Sequence, residues 1–119
     1  MINLYYISTI MELKILAKNY QDAFNNQDIN KLKNLFDKDI LLKDWERSVK
    51  GIENVIKENQ KIFDSVESLK CVTVKEFYHE NTAICVLKIH INEKEIIDVV
   101  DIIEFNDEKK IITITAYKG

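Results

Sequence analysis

A chain of 119 residues, 46% hydrophobic and 31% charged, falls within the size of one domain and can bury roughly two thirds of its unfolded surface in a single core. Its net charge of −3 and its 17 scattered basic residues, of which only Arg47 is arginine, form no basic face and so argue against a nucleic-acid partner. Two glycines and no proline exclude glycine-rich phosphate loops and leave no linker at which to divide the chain, which is read as one domain over 1–119.

The N-terminal stretch 1–11 is apolar but carries no Lys or Arg before Lys14, has no small-residue cleavage site and is too short to span a bilayer. No membrane partner is expected, and the chain is assigned to the cytoplasm. Residues 1–10 read as an extension, with Met11 as an alternative start. Leu13, Ala17, Tyr20 and Phe24 then recur at helical spacing and define a first helix. Asn25, Asn26 and Gln27 break that pattern, and Asp28 is a suitable N-cap for a short second helix with Leu32, Leu35 and Phe36 on its buried face. Ile40–Lys43 predicts a short strand that ends at Asp44, followed by a polar loop from Trp45 to Lys50. Gly51 opens a third helix whose stripe is Ile52, Val55, Ile56, Asn59, Ile62, Phe63 and Val66, one amide in an apolar row.

The remainder reads as four strands, Leu69–His79, Thr82–Ile91, Glu95–Phe105 and Lys110–Lys118, joined by short polar connections. Connections of hairpin length predict an antiparallel meander. Helices first and a meander afterwards indicate an α+β fold with the helices on one face of the sheet.

Alternation along Glu95–Phe105 puts Asp101 on one face with Ile97, Val99, Ile103 and Phe105, and sends Asp98 and Glu104 to the other. A carboxyl among four apolar side chains is costly when charged, so its pKa should rise; it serves either a binding site or a structural bond to a core hydroxyl. Tyr20 lies in the buried stripe of helix 1, as packing or with its hydroxyl bonded to Asp101 or Asn59. Asp44 leaves a strand at a loop, where it can act as a base, cap the loop or pair with Arg47. Trp45 is either a rim aromatic or a plug beneath the loop. Cys71 and Cys85 fall in strand-like runs and read as reduced, buried, small hydrophobes. His79 and His90 are expected to face outward, and no His/Cys/carboxylate cluster suggests a metal.

Two sets of residues carry a resemblance. Tyr20-x-x-Ala23-Phe24-Asn25-x-x-Asp28, Leu32-x-x-Leu35-Phe36-x-x-Asp39, Asp44 and Gly51 form the first. Val100-Asp101-Ile102-Ile103-x-Phe105 and Ile111-x-x-Ile114-x-Ala116-Tyr117 form the second. In this order and spacing, from helix 1 to the C-terminus, the chain resembles the nuclear transport factor 2-like superfamily, which includes the ketosteroid isomerases and SnoaL-like polyketide cyclases. The resemblance implies a cone-shaped, cystatin-like fold: a curved, mostly antiparallel sheet wraps helices 1 and 3 and leaves a pocket open at one end.

Tyr20, Asp44 and Asp101 match the three pocket positions of the ketosteroid isomerases. The resemblance therefore implies Asp44 as a base, Tyr20 and a protonated Asp101 as oxyanion donors, and a cofactor-independent isomerase, cyclase or dehydratase acting on a small molecule. Asn59, Trp45, Val99, Ile103 and Phe63 are expected to contact the ligand. Trp45 stands where those enzymes have proline and Asn59 about where they carry a second pocket tyrosine, departures that point to a ligand smaller and more polar than a steroid. The alternative is a non-catalytic binding module of the same fold, which a cone filled by Phe24, Phe63, Phe77 and Phe105 would favour. A homodimer through the sheet is expected, because Ile96, Val100, Ile102, Ile112 and Ile114 give both sheet faces apolar character.

Overall fold

The computed structural model describes residues 4–119; the first three residues of the expected extension lie outside the described residues. From Leu4 onward there is no break before the first helix, which runs over Leu4–Asn25 (α1). Its start is hidden in the sequence because the apolar residues of this segment, Leu4 to Ile7 with Ile10 and Met11, form no single helical stripe. Further along, Leu13, Ala17, Tyr20 and Ala23 are buried as one stripe. At the C-terminal end of α1 the Asn25 side chain donates to the Cys71 carbonyl (2.9 Å) and accepts from the Cys71 amide (2.8 Å), which ties the helix to the sheet edge.

Asp28 caps α2 (Ile29–Leu35), its carboxylate accepting from the Lys31 amide at 3.1 Å. Phe36 does not continue that helix, as its apolar spacing suggests. It adopts an extended conformation and begins β1 (Phe36–Lys43), pairing parallel with Ile111, while its ring stays buried. Ladder bonds to a distant strand outweigh one more residue on a two-turn helix. A second difference is β2 (Ser48–Lys50), within the expected polar loop, which pairs antiparallel with Leu41–Lys43. Gly51 follows with φ of 90°, a left-handed conformation that glycine takes without a Cβ penalty, and caps α3 (Ile52–Asp64).

The meander consists of β3 (Leu69–His79), β4 (Thr82–Ile91), β5 (Glu95–Phe105) and β6 (Ile111–Lys118). The first three have the expected bounds, and the last starts one residue late. Among the described residues the strands make one six-stranded mixed sheet in the order β2-β1-β6-β5-β4-β3, with β1 parallel to β6 and every other pair antiparallel. The architecture is α+β. Among these residues no helix is long and apolar enough to cross a membrane.

Residues opposite one another in an antiparallel pair share a face, so register assigns the two sides of the sheet. Asp101 is opposite Cys85 and Ala116, Val99 is opposite Leu87, and Ile103 is opposite Ala83 and Ile114; these face the helices. Val100 and Ile102 with Val86, Ile84 and Tyr117 face away. Of the residues expected to make both sheet faces apolar, Ile114 is on the inner side and is 2% exposed. At one end of this inner layer Phe105, Ile111, Leu32 and Ile40 are packed solid. At the other, helices and sheet separate.

Candidate functional site

That separation is a cavity of about 270 Å³, near the small end of the usual size range of small-molecule sites. Its sheet wall is built by Val99, Asp101 and Ile103 of β5 with Cys85 and Leu87 of β4. Its helix wall includes Tyr20 and Phe24 of α1 and Asn59 of α3, and the β1–β2 loop contributes Asp44, Trp45 and Arg47. The three residues expected to do chemistry thus line one space, as do Asn59, Trp45, Val99 and Ile103.

Phe63 is the exception. It is buried at 4% exposure but packs edge-on against Phe24, with ring centroids 5.1 Å apart, and it does not line the cavity. Phe24 forms the wall on that side and leaves Phe63 in the core behind it. Nor do the phenylalanines fill the cone. Phe77 is 55% exposed on the outer side of the sheet, and Phe105 belongs to the packed end.

The Asp101 carboxyl has no hydrogen-bond partner among the described residues, and the residue lines the cavity. Loss of solvation disfavours the charged carboxylate and pushes its pKa up to about 7, so both protonation states are accessible near neutral pH. Tyr20 is held between Phe24 and Phe36, at centroid distances of 6.3 and 6.1 Å. Burial raises its hydroxyl well above the ordinary range, and the nearby charge of Asp101 raises it further. Of the two alternatives for Tyr20, the bond to Asp101 or Asn59 is not formed, and Tyr20 and Asp101 both line the cavity.

Asn59 is 3% exposed, and its Nδ2 donates to nothing. The single amide of the apolar row thus lines the cavity while its N–H group stays buried and unused.

Asp44 combines several of the roles the sequence left open. Its Oδ1 accepts from the backbone amides of Glu46 and Arg47, both at 2.8 Å, and its Oδ2 lies 3.5 Å from Arg47 Nε. These contacts orient the carboxylate. Arg47 was not anticipated as a wall residue, and its spacing of three from Asp44 was the only signal. Its guanidinium also meets Glu46 at 2.8 Å and Glu58 at 3.9 Å.

Trp45 is a rim aromatic, 45% exposed, with Lys118 Nζ 5.9 Å from its ring centroid. A plug beneath the loop is ruled out by that exposure. Cys71 and Cys85 are buried free thiols, as expected, but both also line the cavity. Burial first, then the charge of Asp101, pushes each thiol up to about 12, so both stay protonated and unreactive at neutral pH. Among the described residues no group of three or more His, Cys, Asp or Glu side chains could hold a metal ion.

The same arrangement of helices on a mixed sheet recurs in solved structures. One is a nuclear transport factor 2-like protein of unknown function from Cytophaga hutchinsonii ATCC 33406, 16% identical with a TM-score of 0.77, covering 90% of this chain and 89% of that one. A proposed SnoaL-like polyketide cyclase from Shewanella denitrificans OS-217 is 16% identical with a TM-score of 0.80, covering 90% of each chain. A proposed ketosteroid isomerase from Kribbella flavida DSM 17836 is 14% identical with a TM-score of 0.81, covering 92% of this chain and 78% of that one. At such identities the likeness is one of fold. No curated protein sequence matches the chain. The model of the SnoaL-like domain matches residues 17–114, from the middle of α1 into β6 and across every wall of the cavity, and the chain belongs to that family.

Proposed function

We propose that this protein binds a small, largely apolar carbonyl compound in the cavity and moves a proton on it, as an isomerase or cyclase does. The observation that carries this reading is Asp101, a carboxyl without a partner that faces an apolar cavity beside Tyr20. Asp44, oriented by two amides, takes the proton from the carbon next to the carbonyl. The electron pair moves to the carbonyl oxygen, and Tyr20 and neutral Asp101 donate hydrogen bonds to the resulting oxyanion. Return of the proton to another carbon completes an isomerisation. A second reading, binding without turnover, is favoured by the amides and Arg47 around Asp44, since its carboxylate is already engaged by the protein.

Titration with 4-nitrophenol, whose anion resembles an enolate, separates the two. Asp44→Asn removes a repelling charge and should tighten binding, while Asp101→Asn replaces a carboxylic acid with a weaker donor and should loosen it. Shifts of the same sign, or none, would defeat the base-and-donor assignment. Loosening by Asp101→Asn with no effect of Asp44→Asn favours the binding reading.

We also infer that the outer sheet face is covered by a second copy of the chain. Ile96, Phe77 and Tyr117 are 58%, 55% and 59% exposed there, beside half-buried Val86, Val100 and Ile102. Monomers rarely leave so large a share of one sheet face apolar, even with the Lys88–Asp98 pair set into it. Light scattering at micromolar concentration should report a dimer, and Val100→Lys should yield a monomer.

A further inference from the structure

Asn59 sits in a position that packing alone does not explain. Its neighbours on the inward row of α3, Val55, Ile56, Ile62 and Phe63, are apolar, and a leucine would continue that row without burying an amide. Its Nδ2 is buried and unpartnered, so the chain carries the desolvation cost of a donor with no internal acceptor. The ion-pair group beside it leaves it aside: Glu58, one residue earlier, engages Arg47 and Lys61, while Asn59 lines the cavity.

From this we infer that Asn59 sets the ligand specificity of the cavity, and that the ligand carries two oxygen acceptors. One is met by Tyr20 and Asp101, and the other, a neutral carbonyl or ether oxygen, accepts from Asn59 Nδ2, which a half-turn of the side-chain amide brings from its buried position to the cavity wall. This rests on the reading of the cavity as a small-molecule site and adds the chemistry of its far end. Asn59 belongs to the helix wall and Asp101 to the sheet wall, so a compact cyclic compound spanning the gap presents one oxygen to each. The second oxygen is neutral because the nearest cation, Arg47, is already taken up by Asp44, Glu46 and Glu58, and an amide does little to offset the burial of a carboxylate.

The test uses the full chain and three probes: 4-hydroxyacetophenone, 4-ethylphenol, which has nearly the same shape without the carbonyl, and 4-hydroxybenzoate. The wild type should bind 4-hydroxyacetophenone about three- to ten-fold tighter than 4-ethylphenol, the size of one neutral hydrogen bond. Asn59→Leu should bring that ratio to about one, leave 4-ethylphenol binding in place and fold with a melting temperature no lower than the wild type. Asn59→Met, of similar length but without an N–H group, should also abolish the preference. Weaker binding of 4-hydroxybenzoate than of 4-hydroxyacetophenone supports the neutral second oxygen, and tighter binding overturns it. A ratio near one in the wild type, or one unchanged in both variants, overturns the proposal. Failure of Asn59→Leu to fold would assign Asn59 to the core and overturn it as well. Absence of any 4-ethylphenol binding would instead strike the small-molecule reading beneath it.

Discussion

Strand β5 contributes to both ends of the inner layer, and the two ends differ in what lies above it. Phe105 and Asp101 share one face of that strand, four residues apart. At Phe105 the ring is 1% exposed, in one core cluster with Leu13 of α1, Leu32 of α2 and Ile40 of β1. At Asp101 the helices stand off, and the same face becomes a cavity wall with a carboxyl on it. Alternation assigns a residue to a side; the distance to the next layer decides whether that side is core or site.

The sharpest way to break this contrast is to hollow the packed end. Phe105→Ala should cost about 3–5 kcal/mol in denaturant melts, because the ring leaves a void that its neighbours cannot collapse into. A loss below about 1 kcal/mol would mean that the two ends are equally loose.

The next effect lies at the open end and depends on pH. Asp101 has a folded pKa raised to about 7, against about 3.9 in an unfolded chain. Between those values the folded state binds more protons, so stability falls as pH rises through the window and is fully present below it. The wild type should lose on the order of a few kcal/mol from pH 4 to 7 relative to Asp101→Asn, whose profile lacks that step. Parallel profiles would place Asp101 in ordinary solvation.

Phe24 stands on the border, half-buried and in contact with both the cavity and Phe63. Phe24→Ala should enlarge an existing space more than create a new void, at about 1–2 kcal/mol, less than at Phe105. An equal cost would move Phe24 to the core side of the comparison. The smallest effect is expected at Trp45, where alanine should change stability by less than about 0.5 kcal/mol yet weaken 4-ethylphenol binding. A large stability loss there would make the rim part of the core.

Local chemistry made much of this protein legible from its sequence. The bounds of β3, β4 and β5 follow from alternation and turn residues, the start of α2 from the capping side chain of Asp28, and the inward face of Asp101 from the period of two. The positions of Tyr20, Asp44 and Asp101 on one cavity wall or another were legible as well, through the resemblance. Each depends on residues close in the chain or on an ordered set of motifs.

Tertiary structure alone decided the rest, because it turned on partners far away in sequence. Phe36 became a strand residue because Ile111 offered it a ladder, and Ser48–Lys50 became β2 because Leu41–Lys43 lay alongside. The start of α1 was hidden by a segment whose apolar residues form no single helical stripe. Asn59 and Phe63, one turn apart on α3, look alike in the periodic pattern; only the placement of Phe24 turns one into cavity wall and the other into core. Whether a buried group meets a partner, as Asp44 does with Arg47 and Asn59 Nδ2 does not, depends on where separate elements come to rest, and periodicity holds no information about that distance.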